Sequence, residues 1–360
     1  MKHLYIHIPF CKSICSYCDF CKMYHNSNFV NSYLDALKCE VEEYYNDDIL
    51  DTIYIGGGTP SCLNTDELNK LFEIINTFKV SDNLEFTFEC NPSDINEELI
   101  DILVKNKVNR LSIGVESFDI DNLGFMDRTC NFEDLKNKLD MIRSKGINNI
   151  NLDLIYAVPD ETLKVLKKDL KLLLKLKPNH ISTYSLMIEK HTKLYNEGIL
   201  NIDEDLDNKM YNLIVKTLKK HKYNHYEVSN FSLNSYESKH NLSYWNNEEY
   251  YGFGLGASGY IHGFRYENTR NLNKYLNGSW HNYEELLSEE TKMDDEIMLG
   301  LRKIKGINLT EFKNKYNKDL LEAYDIKELL NNKELIIKNG YIFINPKYIY
   351  MMNEILIKII

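Results

Sequence analysis

The stretch HLYIHIPFCKSICSYCDFC, residues 3–21, joins a short apolar run to four closely spaced cysteines. Cys11, Cys15 and Cys18 form the pattern C-x3-C-x2-C directly after the run, and Cys21 lies three residues further on. The first residues lack the apolar core of a secretory signal, so dense cysteines indicate a metal or catalytic site rather than disulfides. The stretch therefore predicts a strand whose C-terminal end carries the cysteines of a metal or catalytic site.

The composition predicts an ordinary water-soluble globular protein. The chain has 360 residues, 43% of them hydrophobic and 27% charged, which suffices for one large domain and a smaller one. No apolar run approaches the roughly 18 residues that a membrane span needs. The net charge of −11 disfavours nucleic-acid binding, because that binding requires a basic face. We therefore expect a cytoplasmic protein with no transmembrane segment and no nucleic-acid partner.

Six apolar runs alternate with amphipathic segments from residue 3 to about residue 190. Strand followed by helix, repeated six times, predicts parallel βα units. Such units could form an open doubly wound sheet or an incomplete (β/α)6 barrel of the TIM type. The predicted strands are HLYIHIPF (3–10), TIYIGGG (52–58), LEFTFEC (84–90), NRLSIGVES (109–117), NINLDLIY (149–156) and HISTYSL (180–186).

The positions of the chemically unusual residues favour the barrel. Cys11 follows the first predicted strand and GGGTP (56–60) follows the second. Glu89 and Glu116 end the third and fourth strands, and Asp153 lies in the fifth. In a barrel these ends converge on one mouth, where active sites are built, whereas an open sheet spreads them along an edge. We therefore predict an α/β fold with a partial barrel.

Three domains are predicted along the chain. Residues 1–200 form the partial barrel, and residues 201–288 form an extension that carries the motif HNLSYW. Residues 289–360 form a smaller module of helices. It ends in a hairpin, which Asn339 and Gly340 indicate by their position between alternating apolar residues. Helices followed by a hairpin resemble a winged-helix module, and the acidic chain makes it a packing or partner surface.

The three-cysteine pattern favours an iron–sulfur cube over zinc. Structural zinc sites usually take four ligands from two separated pairs, and no second Cys or His pair with that spacing occurs later in the chain. Thiolates of Cys11, Cys15 and Cys18 suit a 4Fe–4S cluster that leaves one iron without a protein ligand. A fourth thiolate would block that iron, so Cys21 is predicted to be a free thiol nearby.

The pattern C-x3-C-x2-C, with Tyr17 before its last cysteine, resembles the signature of the radical S-adenosylmethionine (SAM) superfamily. The resemblance implies that Cys11, Cys15 and Cys18 hold a 4Fe–4S cluster whose open iron binds S-adenosyl-L-methionine. It also implies that an electron donor protein reduces the cluster, which then cleaves the cofactor to methionine and a 5′-deoxyadenosyl radical.

The same resemblance assigns further residues to the cofactor. The GGGTP turn resembles the superfamily loop that binds the cofactor's amino and carboxylate groups, where glycine lets a ligand approach the backbone. For each charged residue alone, a salt bridge at the end of the barrel is an equal alternative, but together they favour a cofactor site. Glu116 departs from the family, which usually has Gln at this position. The residues assigned to S-adenosyl-L-methionine are Tyr5, Tyr17, Gly57, Gly58, Thr59, Glu89, Glu116, Arg128 and Asp153.

Longer motifs narrow the resemblance. YIHIPFC, ECNP, IGVESFD, LDLIYAVP, YEVSNFS and HNLSYW are similar to the oxygen-independent coproporphyrinogen III oxidase family over nearly the whole chain. Within it, CDF (18–20) and HNLSYW (240–245) resemble the heme-chaperone branch, HemW. The true oxidases carry a fourth cysteine two residues after the third. They also have a longer N-terminal arm, which we expect this chain to lack.

HNLSYW is the motif on which two functional hypotheses divide. A neutral imidazole such as that of His240 is a common ligand of heme iron, and Tyr244 and Trp245 offer flat apolar surfaces to a porphyrin. A lone histidine beside aromatic residues is more often a buried structural residue. The family resemblance favours the heme-ligand role.

The first hypothesis is a radical SAM 4Fe–4S protein that binds heme and delivers it to acceptor proteins such as respiratory enzymes. The alternative is an oxidase that decarboxylates coproporphyrinogen III to protoporphyrinogen IX, or a related radical tetrapyrrole enzyme. Cofactor cleavage is expected in both, and the oxidase activity is not favoured. A zinc-stabilised scaffold is a third alternative. The expected partners are heme or porphyrinogen, an electron donor and heme acceptors, and peripheral contact with membrane complexes stays open.

Overall fold

The computed structural model describes residues 2–360, and its centre is one mixed sheet of twelve strands that does not close on itself. Five further short strands form a three-stranded sheet and a two-stranded sheet. The strands in chain order are β1 (Lys2–Ile8), β2 (Phe10–Cys11), β3 (Met23–Tyr24), β4 (Leu50–Gly57), β5 (Val80–Cys90), β6 (Arg110–Glu116), β7 (Asn149–Tyr156), β8 (His180–Ser185), β9 (Asn224–His225), β10 (Asn230–Ser232), β11 (Tyr250–Phe253), β12 (Ser258–Ile261), β13 (Phe264–Asn268), β14 (His281–Leu286), β15 (Ile307–Asn308), β16 (Leu335–Lys338) and β17 (Tyr341–Ile344).

Residues 2–360 contain fifteen α-helices; those between the parallel strands pack on the outside of the sheet, and the others belong to the extension and the C-terminal module. In chain order the helices are α1 (Ser27–Tyr44), α2 (Thr65–Ile75), α3 (Glu97–Lys105), α4 (Ile120–Phe125), α5 (Phe132–Ser144), α6 (Leu163–Lys175), α7 (Lys193–Asn196), α8 (Glu204–Lys220), α9 (Lys239–Trp245), α10 (Leu272–Leu276), α11 (Glu289–Gly300), α12 (Leu309–Tyr316), α13 (Leu320–Ala323), α14 (Lys327–Asn331) and α15 (Met352–Ile357). Within residues 2–360, no helix combines the length and the apolarity that a bilayer span requires.

Six parallel strands form the wall of the barrel, in the order β1-β4-β5-β6-β7-β8. The predicted incomplete (β/α)6 barrel is therefore confirmed. Strands from the predicted extension lengthen both edges of the same sheet. On one edge β11 runs parallel to β1 and continues antiparallel into β12, β13 and β14, and on the other edge β10 and β9 follow β8.

Helix α2 shows how local sequence fixes the start of an outer helix. The Asn64 side chain accepts a hydrogen bond from the Glu67 amide, and the Glu67 carboxylate accepts one from the Asn64 amide, which makes a capping box. Asp66 and Glu67 place negative charge where the helix dipole favours it. Leu71 and Phe72 then bury one face of the helix against the sheet.

The alternation along the strands separates an apolar outside from a polar lumen. On β6, Leu111, Ile113 and Val115 are fully buried in the apolar core between sheet and helices. Arg110 and Ser112, on the opposite face of the same strand, line the lumen. A strand of period two whose inward side chains are polar indicates a barrel that holds a ligand rather than a packed centre.

The C-terminal module contains the predicted hairpin. β16 pairs antiparallel with β17, and β15 adds a third strand. Asn339 and Gly340 both have positive φ, 53° and 78°, as the two-residue turn of a tight hairpin requires. Helices α11–α14 precede the hairpin, so the winged-helix-like character of this module agrees with the prediction.

Candidate functional site

The three motif cysteines lie around one cavity at the C-terminal ends of the barrel strands. The cavity has a volume of about 430 Å³, and Cys11, Cys15 and Cys18 all line it. Cys11 ends the short strand β2, while Cys15 and Cys18 lie on the loop that follows. The structure therefore brings together, on the wall of one lumen, the three thiols that the sequence assigns to a cluster.

Hydrogen-bond donors lie beside two of these sulfurs. The Thr59 hydroxyl donates to Cys11 Sγ at 3.4 Å, and Arg128 Nη1 donates to Cys15 Sγ at 3.6 Å. Burial raises the pKa of the Cys18 thiol to about 11, and that of Cys11 is also raised. The raised pKa values favour the protonated thiols of Cys11 and Cys18, and cluster binding must release those protons.

The spacing of potential ligands fits a cluster better than a single ion. Among residues 2–360, no group of three or more His, Cys, Asp or Glu side chains is close enough to hold one metal ion. In a cube each thiolate binds a different iron, so its ligands stand farther apart than those around one zinc ion. Three cysteines from one short segment around an open lumen suit a 4Fe–4S cluster that keeps one iron free.

Cys21 lies outside this arrangement. It does not line the cavity, and its Sγ is near Gly256, where an added Cβ would lie 3.2 Å away. Its backbone carbonyl accepts a hydrogen bond from His7 Nε2 at 2.7 Å. The position agrees with the prediction of a nearby free thiol, and its role stays a prediction.

The glycine turn after β4 packs directly against the cluster loop and a carboxylate. A Cβ on Gly58 would come within 2.9 Å of Cys11 Sγ, and one on Gly56 within 2.8 Å of the Glu89 carboxyl carbon. The Gly57 amide, at φ 118°, donates to Glu89 Oε2 at 3.2 Å. Bare backbone is needed here because any side chain would displace these groups.

Three carboxylates predicted to contact the cofactor face the same lumen. Glu89 accepts a hydrogen bond from the Tyr54 hydroxyl at 2.7 Å, and Asp153 accepts one from Asn151 Nδ2 at 2.8 Å. Glu116 is paired with Arg128 Nη2 at 3.4 Å. Burial raises the pKa of Glu89 and of Glu116 to about 7. Such groups are poised to bind amino and hydroxyl groups of a polar ligand.

A bulge aims Glu116 into the lumen. The register between β6 and β7 shifts between Gly114 and Glu116, and Glu116 itself has φ 66°. An added residue in a strand turns the following side chain to a new direction, and such bulges are frequent beside active sites. Arg128, after α4, also donates to the Gly114 carbonyl, which ties the bulge to the cluster loop.

Replacing Glu116 by Gln should flatten the pH dependence of stability in the cofactor-free protein. The folded-state pKa of about 7 lies above the ordinary value of 4.5, so this group contributes stability below pH 4.5 that is lost as pH rises through 7. Between pH 6 and pH 8 the loss is about 1 kcal/mol. Chemical denaturation of Glu116→Gln at both pH values should show a loss smaller by that amount.

The matched control for this prediction is Glu97→Gln, which changes an exposed glutamate at the start of α3. The control should keep the wild-type difference between pH 6 and pH 8. An unchanged difference in Glu116→Gln would show that Glu116 is ionised at both pH values.

The two tyrosines assigned to the cofactor lie in different places. Tyr17 lines the cavity, and its hydroxyl is hydrogen bonded to Glu116. Tyr5 does not line the cavity, because its hydroxyl pairs with His7 Nδ1 at 3.0 Å and its ring packs near Tyr54. In this arrangement Tyr5 does not reach the cavity, and its direct contact with the cofactor stays a prediction.

Helix α9, which carries HNLSYW, closes the opposite, N-terminal end of the barrel. His240 Nδ1 pairs with the Thr52 hydroxyl at 2.7 Å, near the start of β4. Thr52 precedes Gly57 by five residues, or about 16 Å of strand. The His240 amide is hydrogen bonded to Glu85 of β5, and its ring stacks on Tyr54 at 5.1 Å.

Both ring nitrogens of His240 are engaged in this arrangement. Nε2 pairs with the Tyr244 hydroxyl at 2.8 Å, and the residue is 1% exposed. Tyr244 packs edge-on against Tyr250, and Trp245 lies under the Arg302 guanidinium. In this arrangement the His240 imidazole is not accessible to a ligand. Heme ligation by His240, with Tyr244 and Trp245 as contacts, stays a prediction that requires α9 to open.

Several lumen residues were not identified from the sequence. Arg110 and Ser112 alternate with the apolar Leu111 and Ile113 in the regular part of β6, and period-two counting along that part would have found them. Asn241 comes from α9, so only the tertiary structure brings it to the cavity. The lining residues outside the predicted set include Tyr54, Arg110, Ser112, Asn151, Ser182, Tyr184 and Asn241.

Family models match the chain in two places. Residues 5–173 match the model of the radical SAM superfamily, and residues 287–347 match the HemN C-terminal domain. The first covers the cysteine loop and five of the six barrel strands, β1 and β4–β7, and the second covers most of the C-terminal module.

Relatives match the chain over almost its full length. The heme chaperone HemW of Lactococcus lactis is 40% identical over 98% of this chain and 95% of its own length. That of Bacillus subtilis is 39% identical over 93% of this chain and 94% of its own. Among solved structures, the coproporphyrinogen III oxidase HemN from Escherichia coli superposes with a TM-score of 0.86 at 19% identity, over 99% of this chain and 89% of that one. At that identity the likeness shows the fold alone.

Proposed function

Because the chain belongs to the radical SAM superfamily and, within it, to the family of the heme chaperone HemW, we propose that it binds heme and delivers it to acceptor proteins. The similarity to HemW proteins along nearly the whole chain is the observation that carries this proposal. The cavity lined by Cys11, Cys15 and Cys18 supports it, because a radical SAM chaperone needs a cluster site at the barrel mouth.

We assign the cluster and its cofactor to one wall of the lumen. Cys11, Cys15 and Cys18 would hold the 4Fe–4S cluster, and its fourth iron would face the cavity. When bound, the cluster and S-adenosyl-L-methionine supply one-electron cleavage of a sulfonium. Thr59 and Arg128 would stabilise the thiolates through the hydrogen bonds that they already donate to Cys11 and Cys15.

The remaining cofactor residues would orient a zwitterionic, ribose-bearing ligand. Glu89 stands behind the glycine turn, where Gly57 and Gly58 leave the backbone accessible. Glu116 and Asp153 offer carboxylates that accept hydrogen bonds from hydroxyl or amino groups. Arg128 balances Glu116 and keeps that part of the wall from carrying uncompensated negative charge.

Heme would be bound at one of the two ends of this barrel. The mouth presents exposed apolar side chains, Phe20 at 62% and Met187 at 61% exposure, beside the cluster loop. The other end holds His240 as a neutral imidazole, because burial, with contributions from His3 and Arg110, lowers its pKa well below the usual value. A neutral imidazole is the form that binds iron, once the contacts with Thr52 and Tyr244 open.

Transfer of heme to an acceptor tests the proposal directly. The anaerobically reconstituted protein, loaded with hemin and freed of excess, should pass it to an apo heme protein such as apomyoglobin. The acceptor's Soret spectrum would report the transfer. Failure of the wild-type protein to bind hemin would contradict the proposal, and stable binding without transfer would contradict its chaperone part.

A further inference from the structure

Arg110 is a buried arginine without an ionic partner inside the lumen. It is 2% exposed and lines the cavity from the first position of β6. Its Nη1 donates one long hydrogen bond, 3.4 Å, to the Thr87 hydroxyl, and its buried Nε has no partner. Among residues 2–360, no carboxylate oxygen lies within 4.0 Å of its guanidinium.

The nearby carboxylates already accept hydrogen bonds from donors other than Arg110. Asp153 accepts hydrogen bonds from Asn151 and Ser112, and Glu89 accepts them from Tyr54 and Gly57. Arg128, the other arginine of the cavity, contrasts with Arg110 because it is paired with Glu116 and with a backbone carbonyl. An arginine left unpaired in the interior is unfavourable unless an anion from outside completes it.

The geometry points to Arg110 as a carboxylate-binding subsite at the floor of the cavity. Its free donors form a planar fork that suits a carboxylate in bidentate fashion. Asn241 of α9 lines the same cavity, so its side-chain amide could donate to the same group. The ligand would enter past the cluster loop and reach down the lumen with its acidic end first.

Two ligands of the proposed function carry a carboxylate. One is a tetrapyrrole, whose propionate arms are acidic, and this source rests on the proposed function. The other is the methionine part of S-adenosyl-L-methionine, but its carboxylate is assigned to the glycine turn beside Cys11, so the propionate is the expected occupant and the cofactor is the alternative that the test excludes. The two sources can be separated by removing the carboxylate from each ligand in turn.

The test compares paired ligands on the full, anaerobically reconstituted protein. Hemin is compared with hemin dimethyl ester, and S-adenosyl-L-methionine with its decarboxylated form, by equilibrium binding. The wild-type protein should bind at least one of the two acids, hemin or S-adenosyl-L-methionine, at least about tenfold more tightly than the matching ligand without a free carboxylate. Arg110→Met should reduce that preference to within about twofold, and Arg110→Lys, which keeps the charge, should retain part of it. Arg143→Met, which removes a charge from outer helix α5, should leave it unchanged.

The pattern of results identifies the source and can overturn the proposal. If Arg110→Met loses only the preference for hemin over its dimethyl ester, Arg110 binds a propionate. If it loses only the preference for S-adenosyl-L-methionine over its decarboxylated form, Arg110 binds the methionine carboxylate. If wild type does not bind hemin but the cofactor preference depends on Arg110, the heme proposal fails while the subsite stands. If Arg110→Met changes neither preference, the subsite is wrong.

The stability of the cofactor-free variant supplies a second readout. Removing an unpaired buried charge should leave the melting temperature of Arg110→Met equal to or above that of wild type. A lower melting temperature with unchanged ligand preferences would show that Arg110 has a structural role instead.

Discussion

Replacing any one of Cys11, Cys15 and Cys18 by Ser should abolish the iron–sulfur cluster. Each of the three lines the lumen, and of the other five cysteines only Cys90 also lines it, from the end of β5 rather than from the segment that carries the motif. We expect the broad visible absorbance of the reconstituted wild type, and nearly all of its bound iron and sulfide, to be lost in each variant. Iron and sulfide analysis of anaerobically purified protein is the measurement.

Cys21→Ser is the matched control for these substitutions. It removes a thiol from the same loop, but one that faces Gly256 rather than the cavity. The cluster should therefore form in Cys21→Ser with its full iron and sulfide content. Loss of the cluster in this variant, or its retention in Cys15→Ser, would contradict the assignment of three ligands. If the purified wild-type protein contains zinc and no sulfide, the three cysteines form a structural zinc site and the cluster assignment is wrong.

Replacing His240 by Ala should lower the free energy of unfolding by roughly 2–4 kcal/mol. The substitution creates a cavity under the stacked ring of Tyr54, leaves the Tyr244 hydroxyl without its partner and leaves the Thr52 hydroxyl paired with His3 alone. Tyr244→Phe, which removes only one of these hydrogen bonds and keeps the ring, should cost about 1 kcal/mol. Denaturant unfolding of the three proteins would measure both values.

Hemin titration of the same variants then separates structure from ligation. If α9 opens to offer the imidazole of His240 to heme iron, the Soret shift should disappear in His240→Ala and persist in Tyr244→Phe. Persistence in both variants would remove His240 from the heme site. A His240→Ala protein as stable as wild type would contradict the packing described for α9.

The sequence was sufficient to predict the barrel because strand and helix alternate and reactive or charged residues recur at the ends of the strands. Cys11, Gly58, Glu89 and Glu116 each follow or end a strand, and parallel strands in a barrel bring such ends together. The edges of the sheet could not be predicted in the same way. β11 pairs with β1 across more than two hundred residues, and a four-residue strand in a glycine-rich segment carries no periodicity of its own.

The sequence predicted the site residues that belong to recognisable motifs. It was less informative about residues whose position and exposure depend on tertiary packing. The cysteine loop and the lumen carboxylates lie close together, whereas HNLSYW lies at the far end of the barrel, with His240 buried and Tyr244 and Trp245 partly buried. Its aromatic residues suggested an open ligand surface, but Thr52 and Glu85 hold the helix in place, and those partners lie more than 150 residues away. Period-two alternation along β6 places Arg110 on the lumen face, but no motif names it, and only the tertiary structure shows that its Nε lacks a partner.

The central claim is that this barrel serves heme delivery rather than porphyrinogen oxidation. Anaerobic protein with an intact cluster, reductant and S-adenosyl-L-methionine should be incubated side by side with hemin and with coproporphyrinogen III. The account predicts a stable hemin complex by its Soret spectrum, and no protoporphyrinogen IX from the second incubation. Conversion of coproporphyrinogen III by protein that does not bind hemin would contradict it.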